Sequence, residues 1–393
     1  MVQKSFDGTL AVGDLWRLIN EHRVFFPNMI TVGLARLTHW NIYYELAATQ
    51  FFAALTFFLV WVAVRRAERR VGVEGSQWVI PVVGLLIFSY TQWSVWTWGL
   101  HLMIPMTAAL LIAVALLMSD EKVGPRRLGA ACALAVVASY SFGAGIMVWP
   151  MGACLIGLAN LKARKGMIVH LSVWCACGAL TMAVYFIGYK STLANQHAMD
   201  AFGSPVAFAS YVLAYLGAPI VAYHPLLAVG AGLFGIVAFI ALLRAQFRAW
   251  PDGLHAILPF CGLALCGCLI GVLTALKQWH EGMEQALSSR YIVWPTLFWV
   301  GFVCIGYTYG LKASRVFGRG HAMSVGVIVV FLVVNSGYGT YRADERHDAF
   351  LIGRRALVDN TNEEDLRFLY PDIEIPKLIR PILVEYRLTV FGE

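Results

Sequence analysis

Residues Tyr43–Val64 read YYELAATQFFAALTFFLVWVAV, an apolar run of 22 residues followed by Arg65, Arg66, Arg69 and Arg70. About 20 apolar residues at a helical rise suffice to cross the hydrocarbon core of a bilayer. In lipid, every backbone polar group must find its partner inside the segment, so such a run is a helix. Nine further runs follow, at 77–92, 100–118, 128–142, 145–160, 168–189, 225–243, 253–274, 293–311 and 322–340. The expected fold is all-α: a polytopic transmembrane helical bundle of about 10 spans. The runs 128–142 and 145–160 are short and split by Ser141-Phe142-Gly143-Ala144-Gly145. They form two spans or a broken hairpin, and glycine-rich breaks at membrane depth usually line a cavity. Residues 206–222, cut at Gly217 and Pro219, read as re-entrant or interfacial.

Composition agrees. The 393 residues are 59% hydrophobic and 13% charged, against about 25% charged in soluble domains. The 13 Trp and 16 Tyr suit interfacial belts, with some left over for a groove. The net charge of +7 does not mark a nucleic-acid face, because its basic residues are scattered over short loops. They are scattered unevenly. Fifteen lie in one alternating set of loops (Arg65–Arg70, Lys122–Arg127, Lys162–Lys165, Arg244–Arg248, Lys312–Arg319), whereas the other set holds Lys190, Lys277 and Arg290. By the positive-inside rule the first set is cytoplasmic. Residues 1–42, the loops 190–224 and 275–292, and the tail 341–393 then face outwards from a bacterial inner membrane. This divides the chain into an external juxtamembrane segment 1–42, a transmembrane domain 43–340 and an external C-terminal appendage 341–393. With charges as early as Lys4, Asp7, Asp14 and Arg17, no signal peptide is expected. An outward start is therefore expected to follow a span absent from this chain, or to be a translocated tail.

The eight cysteines, Cys132, Cys154, Cys175, Cys177, Cys261, Cys266, Cys268 and Cys304, all fall in apolar runs. There they read as small hydrophobes, without the spacing of a zinc site or a disulfide framework.

The chemistry-bearing residues cluster on the outward side. Val12 to Phe26 has the 100° periodicity of an amphipathic helix lying in the interface. Leu15, Leu18, Ile19, Phe25 and Phe26 share one side, and Asp14, Arg17 and Glu21 fall within about 60° of each other on another. Asp14 is the expected N-cap and Pro27 the stop. A second apolar piece, Met29–Leu37, leads to the membrane. Glu21 and Asp14 form either an ion-pair ladder with Arg17 or a catalytic pair, one acting as general base with a divalent metal as possible helper. His22 is a ligand or a satisfied interfacial histidine. Arg23 holds a phosphate or snorkels to headgroups.

The second candidate is the loop from Lys277-Gln278-Trp279-His280-Glu281 to Ser289-Arg290-Tyr291. Arg290 there binds an anionic headgroup or diphosphate, or anchors the helix end. Trp93, Trp96 and Trp98 suit sugar stacking or an aromatic belt. Ser141 to Pro150 and Tyr189-Lys190 are compatible with a groove wall, while His197 and Asp200 stand isolated. In the tail, helices are expected near 344–358 and 361–369, with Leu388–Phe391 as a short strand or anchor.

Asn20-Glu21-His22-Arg23 with Phe26-Pro27, Ser141-Phe142-Gly143 with Gly145 and Trp149-Pro150, Ser289-Arg290-Tyr291, and the closing Arg387-Leu388 with Val390-Phe391 carry a resemblance over most of the chain. They resemble a group of bacterial multi-span proteins of uncharacterised activity, similar to the GT-C glycosyltransferase superfamily. The resemblance implies a polyprenyl-phosphate sugar donor, a glycan or lipid acceptor, and transfer on the outer face of the membrane. It implies that Glu21 or Asp14 activates the acceptor or holds a metal. Arg23 and Arg290 would hold the donor phosphate, supported by His22 and His280. In that superfamily the catalytic acid lies in the first external loop, soon after a first span. Here the corresponding acid is expected upstream of Met1, with Asp7, Asp14 and Glu21 as the acids that remain. A transporter or flippase of lipid-linked glycans would place charges within the spans, which carry almost none. A surface-polysaccharide polymerase or ligase would share the outward site.

Overall fold

The computed structural model describes residues 1–73, 78–120, 123–160, 164–189, 200–313 and 319–391. Lys122, Lys162, Lys190, His197 and Arg315 lie outside the described residues. The chain opens with α1 (Val2–Phe6), α2 (Val12–Leu15) and a hairpin of β1 (Leu18–Ile19) and β2 (His22–Arg23), before α3 (Phe25–Thr38) and α4 (Ile42–Val71). Then come α5 (Val79–Ile87), α6 (Trp93–Thr97), α7 (Met103–Met118), α8 (Pro125–Ser139), α9 (Val148–Ala159), α10 (Arg164–Tyr185) and α11 (Pro205–Gly217). The last third holds α12 (Pro225–Ala249), α13 (Leu254–Gln278), α14 (Met283–Ala286), α15 (Val293–Ala313), α16 (Arg319–Asp359) and α17 (Glu374–Glu385). Apart from the two-stranded hairpin, the described residues form helices and turns.

Among the described residues, six helical segments are long and apolar enough to cross a membrane: Ile42–Val71, Val79–Thr97, Gly99–Met118, Gly166–Tyr185, Pro225–Ala249 and Leu254–Glu281. Their exposed faces carry Phe51, Phe58, Ile168, Val169, Leu180, Leu233, Phe234 and Val237, which only lipid would tolerate in such density. Six falls short of about ten for identifiable reasons. The runs at 128–142 and 145–160 are α8 and α9, of 15 and 12 residues, too short to cross singly. They are joined through a 3-10 turn at Gly143–Met147, which places the glycine-rich break at a helix junction. The helix α15, 21 residues long, is rich in Trp, Tyr and Gly because it packs among other helices. Trp294, Phe298, Cys304 and Tyr307 on it are all buried.

The centre of the bundle is α13 against α15, with α7 beside them. In Gly99–Met118, 78% of the apolar window is buried, against 17% in Gly166–Tyr185 and in Pro225–Ala249. The former is therefore a core helix and the latter two face lipid. Helices α11 and α12 cross at Gly217 and Gly232. A Cβ there would stand 1.9 Å from the Ala228 carbonyl oxygen and 2.0 Å from that of Leu213, so only small residues permit this crossing.

The bundle has two chemically different ends. At one, Arg65 pairs with Glu68 at 2.6 Å, Arg70 with Asp120 at 2.6 Å, and Arg127 with Asp120. Arg70 also donates to the carbonyl of His255, near the start of α13. Lys277 lies 22 residues further along that helix, about 33 Å away, at the opposite end.

The helix α16 runs 41 residues, about 60 Å, straight through position 340, where a span and a separate tail helix were expected to part. Nothing in Tyr341–Asp348 breaks a helix, and two contacts dock the upper half. Buried Asn335 accepts from the Ala222 N–H at 2.7 Å and donates to the carbonyls of Ala218 at 3.1 Å and Pro219 at 2.9 Å. At Gly339 a Cβ would meet the Tyr90 backbone at 2.3 Å.

The tail differs from expectation in detail. Residues 361–369 hold a 3-10 turn at Glu363–Phe368, α17 follows, and Thr389–Phe391 is a 3-10 turn rather than a strand. Val2, Ala35, Leu383 and Leu388 form a second small core with Phe6, Trp40, Leu357 and Tyr386 packed round it. The Thr389 N–H donates to the His39 carbonyl at 3.1 Å, and Tyr386 donates its hydroxyl to Asp7.

The expected amphipathic helix over Val12–Phe26 does not form. Before α3 begins at Phe25 only Val12–Leu15 is helical, Asp14 sits at its third position with Ala11 as N-cap, and Pro27 lies in the first turn of α3 instead of ending a helix. The carbonyls freed when α2 stops are taken by tertiary donors: Asn28 Nδ2 reaches Leu15 at 2.9 Å and Arg23 reaches Trp16 at 2.7 Å. These long-range partners outweigh the weak intrinsic preference of a short helix.

Candidate functional site

In the hairpin, Leu18 pairs with Arg23 and Ile19 with His22, leaving Asn20 and Glu21 as a two-residue turn. Both have positive φ, 46° and 66°, as the twist of such a tight hairpin requires. Asparagine tolerates this conformation, but the second position is one where glycine is preferred. A glutamate there costs on the order of 1 kcal/mol of backbone strain, and the turn thrusts its side chain away from the strands.

That side chain meets the last turn of α13, where Lys277 Nζ stands 3.1 Å from Glu21 Oε2. The pair opens on a cavity of about 510 Å³ lined by Asn20, Glu21, His22, Phe142, Gly143, Ala144, Ile146, Tyr185, Phe186, Tyr189, Ile270, Leu273, Thr274, Lys277, Gln278, Tyr291 and Trp294. This is the size of a small-molecule site, with mostly apolar walls and a few convergent polar groups. Tyr291 donates to Gln278 Oε1 at 2.7 Å, which fixes the polar side of the wall. Phe142 stacks on Trp294 at 5.6 Å and 12°, and the His22 ring lies 4.4 Å from Phe142. Gly143 is required by this packing, because a Cβ would stand 2.3 Å from His22 Nδ1. Burial, and then the Lys277 charge, push the His22 pKa down to about 4, against the opposing pull of Glu21. At neutral pH His22 is thus an uncharged hydrogen-bonding group.

Arg23 points the other way, as strand alternation demands. Its guanidinium donates to the carbonyls of Tyr185 at 3.1 Å, Trp16 at 2.7 Å and Ile187, and lies 5.1 Å over the Trp16 ring. Tyr185 and Ile187 carry the unsatisfied carbonyls at the end of α10, a natural seat for a cation. Arg23 thereby ties the hairpin to the bundle and does not reach the cavity. Asp14 is also elsewhere. It pairs with Lys4 at 2.6 Å and accepts from the Ala11 N–H at 3.0 Å, and the Lys4 contact followed by the Ala11 bond holds its carboxyl below the ordinary range. The shared helix face that joined Asp14 to Glu21 is absent because the helix is absent.

Of the second candidate loop, Lys277, Gln278 and Tyr291 line the cavity, whereas His280 is exposed beside Trp279. Arg290 occupies a neighbouring groove of about 330 Å³ with Trp93, Ser94, Trp98, His101 and, from α16, Arg342, Arg346 and Phe350. Trp96 is buried, donating to Ser89 at 3.0 Å. From the stretch 141–150, Phe142, Gly143, Ala144 and Ile146 line the cavity, as does Tyr189. Thr274, Tyr185 and Trp294 were not singled out from the sequence, since inside a span each looks like ordinary core. Arg342 and Arg346 were missed because the helix was ended at 340. Their spacing from Asn335 and Gly339, by four, three and four residues, was the available signal.

Among the described residues no three His, Cys, Asp or Glu side chains gather as a metal site would need. Chemically, the cavity offers a carboxylate held against an ammonium, an uncharged histidine and aromatic walls. That set can take a proton from a hydroxyl and pack a ring against it. Comparison with protein-family models, with curated proteins and with solved structures finds no match for this chain.

Proposed function

We propose that this chain is a GT-C-like membrane glycosyltransferase of about ten spans, moving a sugar from a polyprenyl-phosphate donor to a glycan or lipid acceptor. In this reading the cavity end faces outwards from the bacterial cytoplasmic membrane and the arginine-rich end faces inwards, following the loop charges. Glu21 is the general base that takes the acceptor hydroxyl proton. Lys277 keeps it ionised, and His22, Gln278 and Tyr291 orient the acceptor. The observation that carries the reading is Glu21 itself: an acid placed at a strained turn position that favours glycine, 3.1 Å from Lys277 at the mouth of an aromatic-walled cavity. Strain of this kind persists where a side chain is needed. A transporter or flippase is the competing reading, and Glu45 and Glu68, both buried on α4, are its best support. Each is held locally, however, Glu45 by Trp40 Nε1 at 3.0 Å and Glu68 by Arg65 and Tyr307.

The test is transfer from labelled polyprenyl-phosphate sugars by membranes carrying the wild type, Glu21→Gln or Lys277→Ala. General-base loss should lower the rate by about 10²–10⁴-fold. Undiminished transfer by Glu21→Gln would remove Glu21 from the chemistry, and translocation of the lipid without transfer would favour the flippase.

A further inference from the structure

We propose that the groove beside Arg290 binds a phosphate group, with Arg342 and Arg346 of α16 completing its cationic wall. The segment Ser288–Tyr291 is a partition: Tyr291 faces the Glu21 cavity and Arg290 the adjoining groove. Opposite stands α16, on which Gly339, Arg342, Arg346 and Phe350 follow at intervals of three, four and four, a single helix face. Gly339 packs on the Tyr90 backbone, so the same face turns Arg342 and Arg346 towards Arg290. The described residues that line this groove include three guanidinium groups and no carboxylate. Arg342 touches Glu345 at 3.1 Å, but both are about half exposed, and such a surface pair contributes little. Arg290 lies 5.0 Å over the Tyr291 ring and Arg346 4.5 Å over that of Phe350, contacts that orient the cations without neutralising them. A larger adjoining cavity shares Trp93, Ser288, Ser289 and Arg342 and is also lined by Glu284.

Three like charges lining one groove repel one another until an anion enters. Guanidinium forks match phosphate oxygens in pairs, which a point ammonium does not. Trp93 and Trp98 beside them suit the first carbons of a chain or a sugar ring. The groove also lies where spans end, the level of lipid phosphates. The bound chemistry is a phosphate or diphosphate, from a lipid headgroup or free in solution. This deepens the glycosyltransferase reading by seating the phosphate one partition away from Glu21, and it rests on that reading for the choice of a polyprenyl probe.

The experiment uses the full chain in phosphatidylcholine nanodiscs, without turnover. Binding of a fluorescent short-chain polyprenyl phosphate is measured, with inorganic pyrophosphate as a separate ligand and competitor. Arg342→Ala/Arg346→Ala should weaken binding at least about tenfold, the double lysine variant should recover only part of it, and Glu21→Gln should bind as the wild type does. Arginine-dependent binding of the lipid probe alone assigns the site to a lipid phosphate, and equal arginine dependence for pyrophosphate assigns it to a soluble one. Unchanged affinity for both ligands across the arginine variants, with the variants monodisperse, overturns the site. Undiminished transfer by Glu21→Gln, with arginine-dependent binding intact, fails the Glu21 reading and leaves this site standing, so the two readings fail separately.

Discussion

Replacing Glu21 by glycine and by alanine separates what its backbone costs from what its side chain does. Both variants lose the 3.1 Å contact with Lys277, so that loss cancels between them. They differ at φ 66°, which alanine occupies at a penalty of about 1–2 kcal/mol and glycine at almost none. Glu21→Gly should therefore be the more stable by about 0.5–1 kcal/mol, because glycine's looser unfolded chain, worth about 0.4–1 kcal/mol, offsets part of the roughly 1–2 kcal/mol of relief. In a chain of this size that is a shift of about 1 °C in Tm, so denaturant titration in detergent is the better assay, read against Glu21→Gln as the near-isosteric control. Transfer activity should fall in all three. A more stable alanine variant would show that the turn is not strained. A glycine variant that gains stability and keeps activity would show that the carboxylate is dispensable, and the assignment of Glu21 would fall.

Three further outcomes follow from the same geometry. His22 titrates near pH 4 in the folded chain and near 6.5 unfolded, so between those values the unfolded state binds more protons and stability falls as the solution is acidified; His22→Asn should flatten the stability–pH curve across that window and leave it unchanged above pH 7. Gly143→Ala forces a Cβ to 2.3 Å from His22 Nδ1 and should cost about 1–3 kcal/mol, with a reduced cavity and weaker substrate binding; wild-type stability in denaturant titration would contradict the packing. Asn335→Ala removes three hydrogen bonds to residues 218–222 and should cost about 2 kcal/mol, with faster hydrogen exchange at the 217–222 turn as the local readout.

The helices were readable because apolar length is a property of each segment alone, and Tyr43–Val64 needs no neighbour to declare itself. The hairpin was not. Leu15, Leu18 and Ile19 satisfy a helical period, and what unwinds the segment is Arg23 finding carbonyls 162 and 164 residues away. The pairing of Glu21 with Lys277 joins residues 256 apart, for which a single sequence holds no signal beyond both lying in polar stretches. Arg342 and Arg346 lie within reach of helical spacing, but the hydropathy drop at Tyr341 reads as the end of a helix. Hydropathy marks where lipid stops and is silent on whether the backbone turns.

The small core that joins Val2 and Ala35 to Leu383 and Leu388 has a consequence for timing. The hairpin is strung between α1 and α3, two of the elements in that core, while the other half, Leu383 and Leu388, is made much later. At about 5–20 residues per second, ribosomes need on the order of half a minute to travel from one half to the other. Until then the small core lacks its second half, and closing so long a loop is entropically costly without that partner. The hairpin's own anchors in the bundle, the Tyr185 and Ile187 carbonyls and Lys277, are thus synthesised before the second half of this small core, which closes over a segment already held.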